Sequence, residues 1–198
     1  MREATAADYH WLNQHDLRAG FCLTYVQGVD EHEKLRHFGA NPDTLRPMTL
    51  SEAIEIDFEH GGGECVVALT RRFDNWTVVI EPNGWAGTTL GVLLPLSTGT
   101  TAISVQANIN GDRSFNLAEN GELLTSFDPL FPERRGGSQP DVLVPLMNEV
   151  GIIRSNDRED QYIPLTEASL ALADRISGTQ VTAAALEGTL LGGILGPH

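Results

Sequence analysis

Between residues 101 and 110 the chain alternates strictly. Ile103, Val105, Ala107 and Ile109 fall on one side; Ser104, Gln106, Asn108 and Asn110 fall on the other. A period of two places successive side chains on opposite faces of an extended strand, so this segment belongs in a sheet with one buried face. Its surroundings agree. Asn110-Gly111 and Asn120-Gly121 are tight-turn pairs, because Asn and Gly tolerate positive φ. They flank a short strand over 114–118, and a strand over 122–127 completes a meander, closed by Pro129 and Pro132. Residues 64–71 and 75–81 read as a hairpin around Arg72-Phe-Asp74, and residues 20–27 as one more strand.

Helical signals flank these strands. Thr5 with Asp8 three residues on, ahead of Tyr9, Trp11 and Leu12, marks a capped helix over 6–14. Gly28 and Asp30 lead into a short helix through Leu35 and Phe38, stopped by Gly39, and residues 41–47 read as a loop. Thr49-Leu-Ser-Glu52 is a capping box that opens a short acidic helix ending by Gly61-Gly-Gly63. Leu90 to Leu96 is a short apolar segment, 141–150 a helix after Pro140, and 155–160 a polar loop. Two C-terminal helices are expected, separated by Gly178. One runs over 166–177 with Ala168, Leu172 and Ile176 on a face; the other runs over 180–194 with Leu186, Leu190 and Ile194.

The sum is a single α+β domain over 1–198, an antiparallel sheet of about five strands with helices packed on one face. Trp76, Val78, Ile80, Ile103, Val105, Ile109, Leu117 and Phe127 are its expected sheet core. A chain of 198 residues buries a sizeable core without disulfides or metals. Thirteen basic against 27 acidic residues give a net charge of −14, which opposes direct binding to nucleic acid or anionic lipid and either favours a basic protein partner or simply keeps the protein in solution. Cys22 and Cys65 each sit in an apolar run and read as buried free thiols in a reducing compartment. Without an apolar leader after Met1 or a run of 18 apolar residues, the expected location is the cytoplasm, away from membranes.

Known catalytic patterns fail on spacing. His32 and His37 are five residues apart, which on a helix turns them about 140° from each other, whereas a zinc pair needs i and i+4. His10 and His15 repeat the same spacing. There is no Gly-x-Ser-x-Gly elbow and no phosphate-binding Gly-Lys loop, and Lys34 is the sole lysine. No cofactor or metal is expected.

Three groups of polar residues remain. Glu52, Glu55 and Glu59 share one helical stripe, with Asp57 and Glu64 beside it; the stripe is a candidate face for a basic partner or a divalent ion, or else the solvated face of an acidic protein. Glu81 ends an apolar strand just before Pro82-Asn83-Gly84; it suits a general base or ligand clamp, or else caps the turn through backbone N–H bonds. Asp128 before Pro129 has the same two readings. Arg134 and Arg135 could grip a carboxylate or phosphate, or bridge to Glu81 or Asp128. Ser104, Gln106, Asn108 and Asn110 could read a ligand or simply meet water.

With these residues in view, the chain resembles an uncharacterised family of roughly 200-residue actinobacterial proteins of the domain-of-unknown-function kind. The resemblance runs over its full length. It is carried by Trp76-Thr-Val-Val-Ile-Glu-Pro-Asn-Gly84 and Ser126-Phe-Asp-Pro-Leu130, supported by Phe21-Cys-Leu-Thr-Tyr-Val-Gln-Gly28, Arg135-Gly-Gly-Ser-Gln-Pro-Asp141 and Ala171-Leu-Ala-Asp-Arg-Ile-Ser-Gly178. The Gly-rich end from Leu190 departs from what the resemblance leads one to expect. It implies no activity, substrate or site residues.

The residues favour a non-enzymatic acidic module that binds a basic protein, of the inhibitor, immunity or accessory kind in bacterial conflict or regulation. The alternative is a small-molecule binder or enzyme with a site near Glu81, Asn83, Asp128 and Arg135.

Overall fold

A computed structural model describes residues 3–28, 30–60, 66–153 and 164–196. Eight antiparallel strands form one sheet: β1 (Gly20–Gln27), β2 (Arg46–Thr49), β3 (Val67–Phe73), β4 (Trp76–Pro82), β5 (Thr101–Asn108), β6 (Arg113–Glu119), β7 (Glu122–Phe127) and β8 (Thr189–Ile194). Their spatial order is β2-β8-β3-β4-β1-β5-β6-β7. The helices are α1 (Glu31–His37), α2 (Leu50–His60), α3 (Leu90–Leu96), α4 (Val144–Glu149) and α5 (Leu165–Ser177). Residues 6–14 are helical as expected, but wound as a 3-10 helix with the Thr5–Asp8 capping box in place.

The meander over β5, β6 and β7 is present, but only its second connection is the tight Asn-Gly turn expected; β5 ends at Asn108, and residues 109–112 form a longer loop in which Gly111 (φ 92°), not Asn110, is left-handed. Asn120 and Gly121 take φ of 53° and 81°, the conformation of a two-residue hairpin turn. Phe115 and Phe127 face each other across β6 and β7 and stack at 5.2 Å. The β3–β4 hairpin turns one residue later than expected, at Asp74 and Asn75, with Asp74 at φ 44°.

The sheet is larger than the expected five strands. β1 enters its centre, pairing β4 through Cys22↔Glu81 and β5 through Cys22↔Gln106. At the far side β8 inserts between β2 and β3. The second C-terminal helix, expected over 180–194, is thus corrected to a short 3-10 turn at Ala184–Leu186 followed by β8. Leu190 and Ile194 fit helical spacing and strand spacing equally, since a four-residue separation lies on one face in both. The glycines decide. A β-carbon on Gly192 would meet Leu69 Cδ2 and Met48 Cγ at 2.6 Å, and one on Gly193 would meet Leu45 Cδ2 at 2.7 Å. The expected loop at 41–47 likewise gives way to β2 from Arg46, the partner of β8.

Helices cover both faces, not one. Leu23, Tyr25, Val78, Ile80, Ile103, Val105 and Phe115 pack with α2, α4, α5 and the N-terminal 3-10 helix. The alternate positions Val26, Ala68, Val79, Ala102 and Ala118 pack with Leu35 and Phe38 of α1 and Val92, Leu93 and Leu96 of α3. Two-sided cover explains why β4 is buried at every position and β1 at all but the last. Of the expected core, Ile109 is the exception: it lies past the end of β5 and is 77% exposed.

Both sheet edges are blunted. β2 is four residues long and contains Pro47. β7 is capped by the segment after Arg135: Ser126 and Gly136 exchange two backbone bonds of 2.9 Å, and Ser138 and Gln139 donate to Leu123 and Leu124. Such devices discourage strand addition by another chain.

Candidate functional site

The second face of the sheet is unusual in its polarity. The register aligns Glu81, Cys22, Gln106 and Ser114 across β4, β1, β5 and β6, and in the next row Thr24, Ser104 and Asn116. Glu81, Cys22, Thr24 and Ser104 are fully buried, and Asn116 donates to Ser104 Oγ at 2.9 Å. Burying such groups is tolerable only when each finds a partner.

Glu81 finds its partners in the turn that follows β4. Its Oε1 accepts from the Ala86 amide at 2.8 Å and its Oε2 from the Gly87 amide at 2.9 Å. The Cys22 thiol also bonds to it. Burial drives the carboxyl up to about 7, and the amide and thiol bonds only partly oppose this. The arrangement is the turn-capping reading of Glu81, carried out from inside the protein. Gly87 is required by this approach, since a β-carbon there would lie 3.1 Å from both Cys22 Sγ and Glu81 Oε2. Nothing in the chain flagged Gly87 or Thr24 beforehand; only the Glu-Pro-Asn-Gly turn pointed to the neighbourhood.

The other candidates line up along the same end of the sheet without converging. Asn83, at φ 55°, and Asn108 both flank Gly20. Asn108 braces its own turn: it donates to Asp112 at 2.9 Å and accepts from the Asn110 and Asp112 amides. Asp128 accepts from the Leu130 amide at 2.8 Å, as a turn opener does. It lies after β7, four strand spacings or about 19 Å from the β4 end where Glu81 sits. Arg135 bridges neither Glu81 nor Asp128. It binds Asp141 at 2.6 Å and the Pro132 carbonyl at 2.8 Å, and so holds the loop that caps β7. Arg134 stays exposed, stacked over Phe131 at 5.0 Å and 3.8 Å from Glu133.

The acidic stripe does form a surface on α2. Thr49 caps the helix by accepting from the Glu52 amide at 3.2 Å, while the Glu52 side chain turns to Arg46 at 2.6 Å. That hydrogen bond holds the Glu52 carboxyl below its ordinary range. Asp57 accepts from the Val66 amide at 2.9 Å and anchors the helix end to β3. Glu55 and Glu59 are exposed, and between them Phe58 is 89% exposed. Phe58 escaped the sequence reading, although its place within one turn of both glutamates was there to be noticed. Glu64 and Cys65 lie outside the described residues, as does the polar segment 155–160.

A model of a family of unknown function (DUF6461) matches residues 2–190. The chain belongs to this family. The match takes in every element before β8, including the Glu81 turn and α2. No curated protein and no solved structure matches the chain. For this DUF6461 member, then, its own geometry is the basis for a functional reading. No helix among the described residues is long and apolar enough to cross a membrane.

Proposed function

We propose that the protein is a non-catalytic acidic binding module that receives a basic protein partner on the outer face of α2. The observation that carries this reading is Phe58, 89% exposed among Glu55 and Glu59. An exposed aromatic with one glutamate a helical turn before it and another next to it in sequence has the composition of an interface patch: the ring supplies buried area and the carboxylates steer encounter. A net charge of −14 extends that steering over the whole molecule. The blunted sheet edges direct binding away from strand addition and towards such a helix face. In this reading the module is an inhibitor, immunity or accessory protein acting in the cytoplasm of an actinobacterium.

The test is capture of partners on the immobilised protein at low salt, with a parallel high-salt wash and a Glu55→Lys, Glu59→Lys variant. A basic protein held by the wild type, shed by salt and not held by the charge-reversed variant supports the reading. Retention that ignores both salt and charge reversal overturns it.

A further inference from the structure

On the second face of the sheet, α3 packs at the end that carries Ala102 of β5 and Ala118 of β6, and the Ala86–Thr88 turn reaches across β1 to lie against both strands. At the opposite end of these strands the face is polar. The register sets Gln106 opposite Ser114 and Asn116 opposite Ser126. The four span two strand spacings by one side-chain repeat, about 10 Å by 7 Å. A strand face that simply meets water is exposed; here Asn116 is buried and the other three are half-buried. Asn116 donates to Ser104, but Ser114 Oγ is buried without a partner, and the Gln106 and Ser126 side chains hold no hydrogen bond among the described residues. Enclosed polar groups left open in this way lack the partners that such groups require, and a ligand can supply them.

Three connections border the patch, and each presents an apolar side chain to solvent: Trp85 after β4, Ile109 between β5 and β6, and Leu130 after β7. The chemistry of the floor narrows the ligand. The cations nearest in sequence are engaged: Arg113 donates to Thr166 and the Gly111 carbonyl, Arg135 is bound to Asp141, and Arg134 lies over Phe131 beside Glu133. Asp112 and Asp128, in the bordering loops, repel an anion further. A wholly apolar ligand would seal four polar side chains without partners. A neutral ligand with many hydroxyls meets both conditions. Amide and hydroxyl side chains donate to and accept from its hydroxyls, and the Trp85 indole offers a flat apolar surface to its C–H face.

We propose that this end of the sheet is a binding site for a neutral saccharide, with Gln106, Ser114, Asn116 and Ser126 holding ring hydroxyls and Trp85 stacking against the ring. The site is separate from the partner surface, because α2 packs on the opposite face of the sheet. Either surface can therefore fail its test without the other.

The test is a titration of the full chain, followed by NMR through the side-chain amides of Gln106 and Asn116 and the Trp85 indole N–H. The probes are glucose, galactose, mannose, N-acetylglucosamine, maltose and cellobiose, each to about 10 mM, with adenosine and uridine as rival neutral ligands. At least one sugar should shift all three groups along a single saturating curve. Trp85→Ala and Gln106→Ala alter side chains that reach the surface, so both should keep the wild-type circular dichroism spectrum. Each should raise the Kd for that sugar about tenfold or more. The saccharide site is overturned if no sugar gives a saturating shift, if the nucleosides alone do, or if either variant binds as well as the wild type.

Discussion

Gly87 and Thr24 approach so closely that a β-carbon on Gly87 would come within 2.0 Å of Thr24 Oγ1. The contact is what brings the Gly87 amide down onto Glu81, and it accounts for a glycine at a position whose backbone needs none for φ. Turn, sheet and buried carboxyl are one packing unit.

The first prediction concerns that contact. Gly87→Ala should cost about 1–3 kcal/mol through overpacking. Thr24→Ala alone should also destabilise, yet the double variant should be more stable than the sum of the two single effects predicts. Urea denaturation of the four proteins measures the coupling.

Glu81 sets a pH dependence of global stability. Its folded value, about 7, lies above its ordinary 4.5, so its contribution to stability is fully present below 4.5 and is lost as pH rises to 7. At about 1.4 kcal/mol per pH unit the loss is on the order of 3 kcal/mol. Glu81→Gln keeps one good acceptor and turns an NH2 towards the other amide, so it should be less stable than wild type at pH 5. That deficit should shrink by pH 8. Denaturation midpoints of both proteins at the two pH values check it.

Two buried tyrosines should respond with opposite signs. Tyr9 donates to Asp174 Oδ2 at 3.1 Å and ties the N-terminal helix to α5. Tyr25 is fully buried, and its hydroxyl has no hydrogen-bond partner among the described residues. Tyr9→Phe should destabilise by about 2 kcal/mol, whereas Tyr25→Phe should stabilise by about 1 kcal/mol, because removing an unsatisfied buried hydroxyl relieves its desolvation cost. Thermal unfolding of each variant decides.

The C-terminal strand gives a test of sign as well. In a helix, Gly192→Ala would stabilise by about 1 kcal/mol. In β8, with Leu69 and Met48 at 2.6 Å from the new methyl, it should destabilise by about 1–3 kcal/mol.

How far the fold was legible follows from the same residues. The β5 alternation and the Asn120-Gly121 turn report local geometry, and local geometry decided β5, β6 and β7. The apolar runs of β1 and β4 carried a signal for two-sided burial that a one-face arrangement left unused. β8 was illegible from periodicity because Leu190 and Ile194 satisfy both periods; only its neighbours Met48 and Leu69, far away in sequence, specify a strand. In the candidate site, Glu81 was visible as a turn cap, but its enclosure depends on Cys22 and Thr24, some sixty residues earlier. Arg135 was sought by distant carboxylates when a local one, Asp141, was six residues away.

The central claim rests on one side chain. Capture at low salt should be repeated with Phe58→Ala, which removes an exposed ring and should leave the circular dichroism spectrum and denaturation midpoint unchanged. The account predicts that the basic partner held by the wild type is lost or strongly reduced on this variant. Equal retention by a folded Phe58→Ala protein would contradict it.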